Sequence, residues 1–134
     1  MTSIMLLAIS GVAVAQFALY YWRAVVAGVA AHPISDRVVA AAGLKGGVVT
    51  AEDFETLAGL HGLTPPLRSR EQGLGFVRYY YKFIGMLEQI AGSRLPAVKA
   101  LSRREMAVCA RYAAVCIDRR LQENLACAAA MRSC

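Results

Sequence analysis

The sequence predicts an all-α protein in which an N-terminal single transmembrane helix precedes a small cytoplasmic helical domain of about four helices. Residues 1–22 carry no charge, no segment keeps the apolar–polar alternation of a strand, and helix-capping residues recur through the rest of the chain. Of the 134 residues, 57% are hydrophobic and 18% are charged, against roughly 25% charged in ordinary soluble domains. This composition excludes a disordered chain and a disulfide-rich scaffold.

The uncharged N-terminal segment is long enough to cross a membrane. Its 22 residues extend ~33 Å as a helix, and a bilayer core is ~30 Å thick. The apolar pattern continues to Ala31, and His32-Pro33 ends the helix because proline restricts the residue before it. We therefore predict that residues 1–31 form a transmembrane helix with its extension, and that residues 32–134 form a soluble domain. The predicted membrane-interface anchors are Tyr20, Tyr21, Trp22 and Arg23.

Two alternatives compete with a membrane anchor, a buried helix of a soluble core and a cleaved signal peptide. Cleavage near Ala15 would give a secreted protein, but no cation precedes the apolar segment and the chain stays apolar beyond the cut. The cations that follow the segment are Arg23, Arg37 and Lys45. By the positive-inside rule, we expect a bacterial-type inner membrane with the N-terminus outside and the C-terminal domain in the cytoplasm.

Two short helices are predicted to open the domain. Ser35 or Asp36 can cap a helix that runs through Ala42 and ends at Gly43. The residues from Thr50 to Asp53 resemble a capping box and would begin a second helix, which ends at Gly62.

An aromatic-rich helix is predicted from Leu74 to Ala91. The break at Pro65-Pro66 and a polar linker from Leu67 to Gly73 precede it, and Gly92-Ser93 ends it. Its apolar residues fill an arc wide enough to predict burial against at least two neighbours. These residues are Phe76, Val77, Tyr80, Tyr81, Phe83, Ile84, Leu87 and Ile90.

The longest helix of the domain is predicted from Arg103 to Met131. Ser102 and Glu105 have the spacing of a capping box at its start. Two arginines would then lie in the first turn, where a positive charge opposes the helix dipole unless it meets a phosphate or a carboxylate. Arg103 and Arg104 are therefore the candidate contact for an anionic group.

The four cysteines follow one another at intervals of 7, 11 and 7 residues, three of them on this last helix and Cys134 just after it, and on a continuous helix these intervals place all four on one stripe. Seven residues span ~10.5 Å, too far for a disulfide within one helix. No C-x-x-C pair is present to bind zinc. The favoured interpretation is packing as small apolar residues. The alternative is a thiol-based redox sensor that uses Cys109, Cys116, Cys127 and Cys134, with Cys109 and Cys116 as its redox residues.

The sequence offers no set of residues for catalysis. It contains no nucleophile elbow, P-loop, dinucleotide fingerprint or zinc-protease motif, and His32 and His61 stand alone. We therefore expect no enzyme, no catalytic residue, no cofactor and no bound metal. The favoured function is an accessory, scaffolding or interaction subunit at the membrane, whose partners are the lipid bilayer and another subunit or a second copy.

Charge distribution supplies a third alternative. Residues 68–134 hold twelve cations and five anions, so the excess behind the net charge of +6 lies in that half. This basic half could bind anionic lipid or nucleic acid peripherally, with nucleic acid the disfavoured partner.

Overall fold

The computed structural model describes residues 1–66, 73–91 and 93–133, and the elements in them confirm the predicted all-α fold. No strand occurs in these described residues. The predicted linker from Leu67 to Gly73 lies outside them except for Gly73, as do Gly92 and Cys134. The helices are α1 (Thr2–Ala30), α2 (Asp36–Ala42), α3 (Phe54–Leu63), α4 (Leu74–Ala91) and α5 (Pro96–Arg132), with 3-10 helices at Lys45–Gly47 and Ala51–Asp53.

Helix α1 is one unbroken helix of 29 residues, in agreement with the apolar pattern that runs to Ala31. Every residue from 1 to 21 is exposed, whereas Val26 and Ala30 are buried. The last third of α1 therefore packs on the domain and the first two thirds project from it. By length and hydropathy, α1 could span a membrane, and no part of its most apolar window is buried inside the protein.

Helix α5 is the centre of the domain and contacts each of the other four helices. Small residues on its buried face let these neighbours approach closely. The face includes Cys109, Ala110, Ala113 and Ala114, together with the larger Tyr112 and Ile117. The side chains packed around it include Val26 of α1, Val38 of α2, Phe54 and Leu57 of α3, and Val77 of α4.

The start of α5 corrects one prediction. The helix begins at Pro96, seven residues before Arg103, because a proline suits the first helical turn, where its missing N–H group needs no partner. Ser102 is buried inside the helix, so Ser102 and Glu105 do not form a capping box. Arg103 and Arg104 consequently lie in the second turn or later, and the argument from the helix dipole does not apply to them.

The predicted boundaries of α2 and α3 hold except for the cap of α2, because Ser35 occupies the N-cap position but makes no side-chain capping hydrogen bond. Gly43 ends α2 in the left-handed region, with φ +65°. The Asp53 carboxylate accepts a hydrogen bond of 2.8 Å from the backbone N–H of Thr50, which confirms the capping box. The box begins the 3-10 helix Ala51–Asp53, which continues into α3, and α3 ends at Leu63.

Helix α4 has the predicted bounds, but the predicted wide arc of burial is wrong. Val77 and Ile84 are buried against α5, whereas Phe76, Phe83 and Ile90 are exposed. Trp22 of α1 packs against Phe76, whereas Phe83 and Ile90 on the same side of α4 remain more than half exposed.

The order of contacts fixes the directions of the helices. Arg23 pairs with Glu105, and Ser35, which follows later in the chain, pairs with Asp118, which is also later along α5. The end of α1 and the loop after it therefore run in the same direction as α5. Gly73 lies against Tyr112 and Gly85 against Met106, so α4 is antiparallel to α5. The turn between α4 and α5 therefore lies at the end of the domain from which α1 projects. We call it the α1 end.

Candidate membrane-interface site

The predicted interface anchors separate into two groups where α1 leaves the domain. Tyr20 and Tyr21 are exposed. Trp22 instead packs its ring edge-on against Phe76, with ring centroids 4.5 Å apart. Its indole N–H is buried and has no hydrogen-bond partner in the described part of the chain. The tyrosines are thus free to meet a membrane, while Trp22 helps to fix α1 to the domain.

Arg23, the fourth predicted anchor, is held by a carboxylate of α5. Its guanidinium forms an ion pair with Glu105, and the hydroxyl of Tyr80 donates a hydrogen bond of 3.2 Å to the other oxygen of that carboxylate. Burial, with a contribution from the negative Glu105, raises the pKa of Tyr80 to about 12, so the phenol remains a donor at neutral pH. The three side chains join α1, α4 and α5 at the base of the projecting segment. Sequence reasoning missed this role of Glu105 because the pairing spans 82 residues.

A cleft of about 470 Å³ lies beside this network, between α1 and the first turns of α5. Its lining mixes apolar side chains with charged and phenolic groups, and the lining residues of α1 and of α5 recur at intervals of about three and four along each helix. The lining includes Tyr20, Arg23 and Ala27 of α1, Tyr80 of α4, and Leu101, Arg104, Glu105 and Val108 of α5. The cleft lies beside α1 where the helix leaves the domain.

The two candidate arginines have different surroundings. Arg103 donates a hydrogen bond of 2.9 Å to Glu88 and lies 3.6 Å from Glu52, and the bond to Glu88 raises the pKa of Arg103. Arg104 is exposed in the cleft and forms no ion pair within the described residues. Arg103 already has carboxylate partners, so Arg104 is the member of the pair available to an external anion.

The cysteines occupy three different environments along α5. Cys109 is 1% exposed, Cys116 is half-buried and Cys127 is exposed. Burial, followed by the nearby Glu105 charge, raises the pKa of Cys109 to about 12. The thiolate is the reactive form of cysteine, so this environment opposes a redox function for Cys109. Cys134 lies outside the described residues.

A second polar cluster, which sequence reasoning did not identify, joins α5 to the preceding elements. Buried Asp118 accepts hydrogen bonds from the hydroxyl of Ser35 and, at 2.9 Å, from Gln122. Buried Arg120 donates to the backbone carbonyls of His61 and Thr64, at 2.9 and 3.2 Å. These bonds secure the start of α2 and the end of α3. Helical periodicity carries no signal for the bonds that leave α5, because those partners are 56 to 83 residues away.

The described residues hold no group of three or more histidine, cysteine, aspartate or glutamate side chains that could bind a metal ion. The Nδ1 atom of His32 lies 3.2 Å from the carbonyl oxygen of Gly28, at the end of α1.

Comparison with protein-family models, curated proteins and solved structures found no match to this chain.

Proposed function

We propose that the chain is a single-pass membrane protein whose helical domain acts as a non-enzymatic accessory or scaffolding subunit at the membrane. One observation carries this proposal: the uncharged residues 2–21 form a helix that is exposed on all sides. A helix that is apolar all round requires an apolar environment, and ~20 residues match the thickness of a bilayer core. The described residues offer no cover for this helix, so lipid is the proposed environment.

The proposed orientation places the helical domain in the cytoplasm of a bacterial-type cell. The described part of α1 has no cation before Arg23, and further cations follow in the domain. Arg23 lies at the base of the projecting segment, where a basic residue favours the cytoplasmic side. Digestion by a protease added to spheroplasts tests this orientation. The domain should be protected in intact spheroplasts and digested after lysis. Digestion in intact spheroplasts would show that the orientation is the opposite of the one proposed.

The far end of α5 supports an accessory or scaffolding function. Every residue from 125 to 133 is exposed, and this segment includes Leu125, Met131 and four alanines. It lies at the end of the domain opposite the α1 end, away from the proposed bilayer. An apolar helix end in that position offers a surface to another subunit or to a second copy.

Replacing two apolar residues of α1 with arginine tests the anchor. Leu7 and Val14 are exposed, so Leu7→Arg with Val14→Arg should leave the domain folded. Each arginine near the centre of a membrane helix opposes insertion by ~2.5–3.5 kcal/mol. We expect the variant to leave the membrane fraction and the control variant Leu7→Phe with Val14→Leu to remain there. Equal fractionation of the two variants would contradict the proposal.

The accessory function has a separate test. Native electrophoresis of the detergent-solubilised protein should show a complex larger than the monomer. Leu125→Glu with Met131→Glu should dissociate it, and Arg119→Gln, an exposed polar change on the same helix, should not. A wild-type protein that migrates as a monomer would contradict this function.

A further inference from the structure

The cleft between α1 and α5 has the size of a small-molecule site. Its volume of about 470 Å³ lies within the range of ~300–1,000 Å³ that ligand pockets occupy. Tyr20, Ala24 and Arg104 in its lining are exposed, so a ligand can enter from solvent. Val26 and Cys109 in the same lining are buried and belong to the hydrophobic core. The cleft therefore has both an entrance and a buried apolar wall.

Charged and apolar lining residues follow one another in the same order on both helices. On α1, Arg23 precedes Ala27 by one turn, and on α5, Arg104 precedes Val108 by one turn. Because the end of α1 runs in the same direction as α5, the two arginines lie at one level of the cleft and the two apolar residues at the next. The two residues of the buried wall are the sequence neighbours of Ala27 and Val108, so the buried wall lies at the apolar level. A ligand that fills the cleft therefore meets charge at one level and apolar contacts at the next.

One cation of the charged level is unpaired within the described residues. Glu105 pairs with Arg23 and accepts a hydrogen bond from Tyr80. Arg104 forms no ion pair within the described chain, and the lining holds two cations and one anion, a net charge of +1. A guanidinium presents its donors in a planar fork that fits a carboxylate or a phosphate. The charged level therefore favours a ligand that carries a negative charge.

A second unpaired donor belongs to the same lining. The indole N–H of Trp22 is buried without a hydrogen-bond partner in the described part of the chain, and Trp22 also lines the cleft. Most buried donors in folded proteins have a partner, so an unpaired donor beside a cleft indicates a bound group. This observation is independent of the charge on Arg104. Trp22 is also the only tryptophan in the sequence, so its fluorescence reports directly on the cleft.

We propose that the cleft binds a soluble anionic amphiphile, with its carboxylate or phosphate group at Arg104 and its alkyl chain against Ala27 and Val108. The apolar level lies on the side of Arg104 away from the projecting segment of α1, whereas the chains of a membrane lipid would extend along that segment. At the other end of the cleft, Tyr20 and Leu101 are 75% and 55% exposed and offer less buried contact. The inference goes beyond the proposed function and does not require α1 to cross a membrane, because the cleft is formed where α1 packs on the domain.

The fluorescence of Trp22 tests the site in the full chain, which is held in nanodiscs of phosphatidylcholine. Three probes separate the parts of the ligand: octanoate has the charge and the chain, acetate has the charge alone, and octanol has the chain alone. We expect octanoate to change the Trp22 emission in a saturable titration, at concentrations about tenfold or more below those that acetate or octanol require. Equal potency of acetate or of octanol would overturn the amphiphile as the ligand. The absence of a saturable change with octanoate would overturn the site.

Two variants with matched controls assign the change to the cleft. Arg104→Gln should weaken octanoate binding about tenfold. Its control, Arg111→Gln, removes an exposed arginine of the same helix outside the lining and should leave binding unchanged. Ala27→Phe should fill the apolar level and weaken binding, whereas Val25→Phe, at an exposed position of α1 outside the lining, should not. Equal effects of a variant and its control would overturn the site, and if circular dichroism shows that one variant is unfolded, the other pair decides.

Nanodiscs that contain phosphatidylglycerol test whether the ligand comes from the bilayer. We expect the anionic lipid to leave the affinity for octanoate unchanged. A change of Trp22 emission by phosphatidylglycerol alone, together with loss of octanoate binding, would overturn the soluble ligand and show that a bilayer lipid occupies the cleft. If the chain does not insert into membranes, the same titration in buffer without nanodiscs applies, so failure of the proposed anchor and failure of this inference are distinguishable.

Discussion

Ile84 and Phe83 are adjacent in α4 but have opposite surroundings. Ile84 is 9% exposed and packs on α5, whereas Phe83 is 53% exposed. Consecutive helical residues point 100° apart, so one contact line on α5 covers only part of the apolar arc. The sequence predicts which residues of α4 are apolar, but it does not predict which of them the rest of the chain covers.

Replacing Ile84 with aspartate should unfold the domain. A charge without a partner at this buried site costs several kcal/mol, a large share of the stability of a small domain. Arg78→Ala is the control, because Arg78 is exposed and lies 3.9 Å from the exposed Glu55. The control should change stability by less than ~0.5 kcal/mol. Thermal melts of both variants check this, and equal melting temperatures would show that the helix face is assigned wrongly.

Cysteine reactivity should follow burial along α5. A maleimide should label Cys127 rapidly in the folded protein and Cys109 only after unfolding, because Cys109 is 1% exposed and its pKa is raised to about 12. The control is the same reaction in denaturant, where both thiols should react at similar rates. Rapid labelling of folded Cys109, or a reducible dimer formed through Cys109 or Cys116, would favour the redox-sensor alternative instead.

The raised pKa values also predict a loss of stability at alkaline pH. Both Cys109 and Tyr80 hold their protons more tightly in the folded protein than in the unfolded chain. Their contribution to the free energy of unfolding is therefore complete below their unfolded pKa values of 9.0 and 10.0, and it is lost as the pH rises toward the folded pKa values of about 12. Denaturant titrations from pH 8 upward should show this decline. Cys109→Ala should make the decline shallower, and an unchanged slope would contradict the assigned burial.

Helix boundaries are predictable where a local signal decides them. Gly43 ends α2 as predicted, since its left-handed conformation suits glycine. The sequence predicts the start of α5 seven residues late because Ser102 and Glu105 have the spacing of a capping box, while Pro96 already supplies a favourable first turn. The same capping pattern can occur at the start of a helix or inside a longer one, and the sequence does not distinguish the two. The structure does, because it shows that Ser102 is buried inside α5.

The attachment of α1 to the domain depends on the carboxylate of Glu105. Its side chain is 15% exposed and accepts bonds from Arg23 of α1 and Tyr80 of α4. Glu105→Gln removes the charge that pairs with Arg23 and should cost ~1–3 kcal/mol. The control Glu123→Gln alters a more exposed pair with Arg119 on the same helix and should cost less than ~0.5 kcal/mol. Denaturant unfolding of the detergent-solubilised protein measures both, and equal losses would contradict the role of Glu105.

At the scale of the whole molecule, the structure has two ends with different surroundings. The α1 end carries the projecting helix and the turn between α4 and α5, and the other end carries the exposed tip of α5. The sequence predicts the helices and the apolar segment because those signals are local. It does not predict their relative directions, which depend on contacts such as that of Arg23 with Glu105, 82 residues apart.

Resistance to a high-pH carbonate wash tests the central claim most directly. The wash removes proteins held at a membrane by charge and leaves those whose helices cross it. Because the uncharged segment before Arg23 is exposed and long enough to span a bilayer core, we predict that the full chain stays in the membrane pellet with its N-terminal segment intact. Release into the supernatant, or a mature N-terminus at Gln16, would contradict the account.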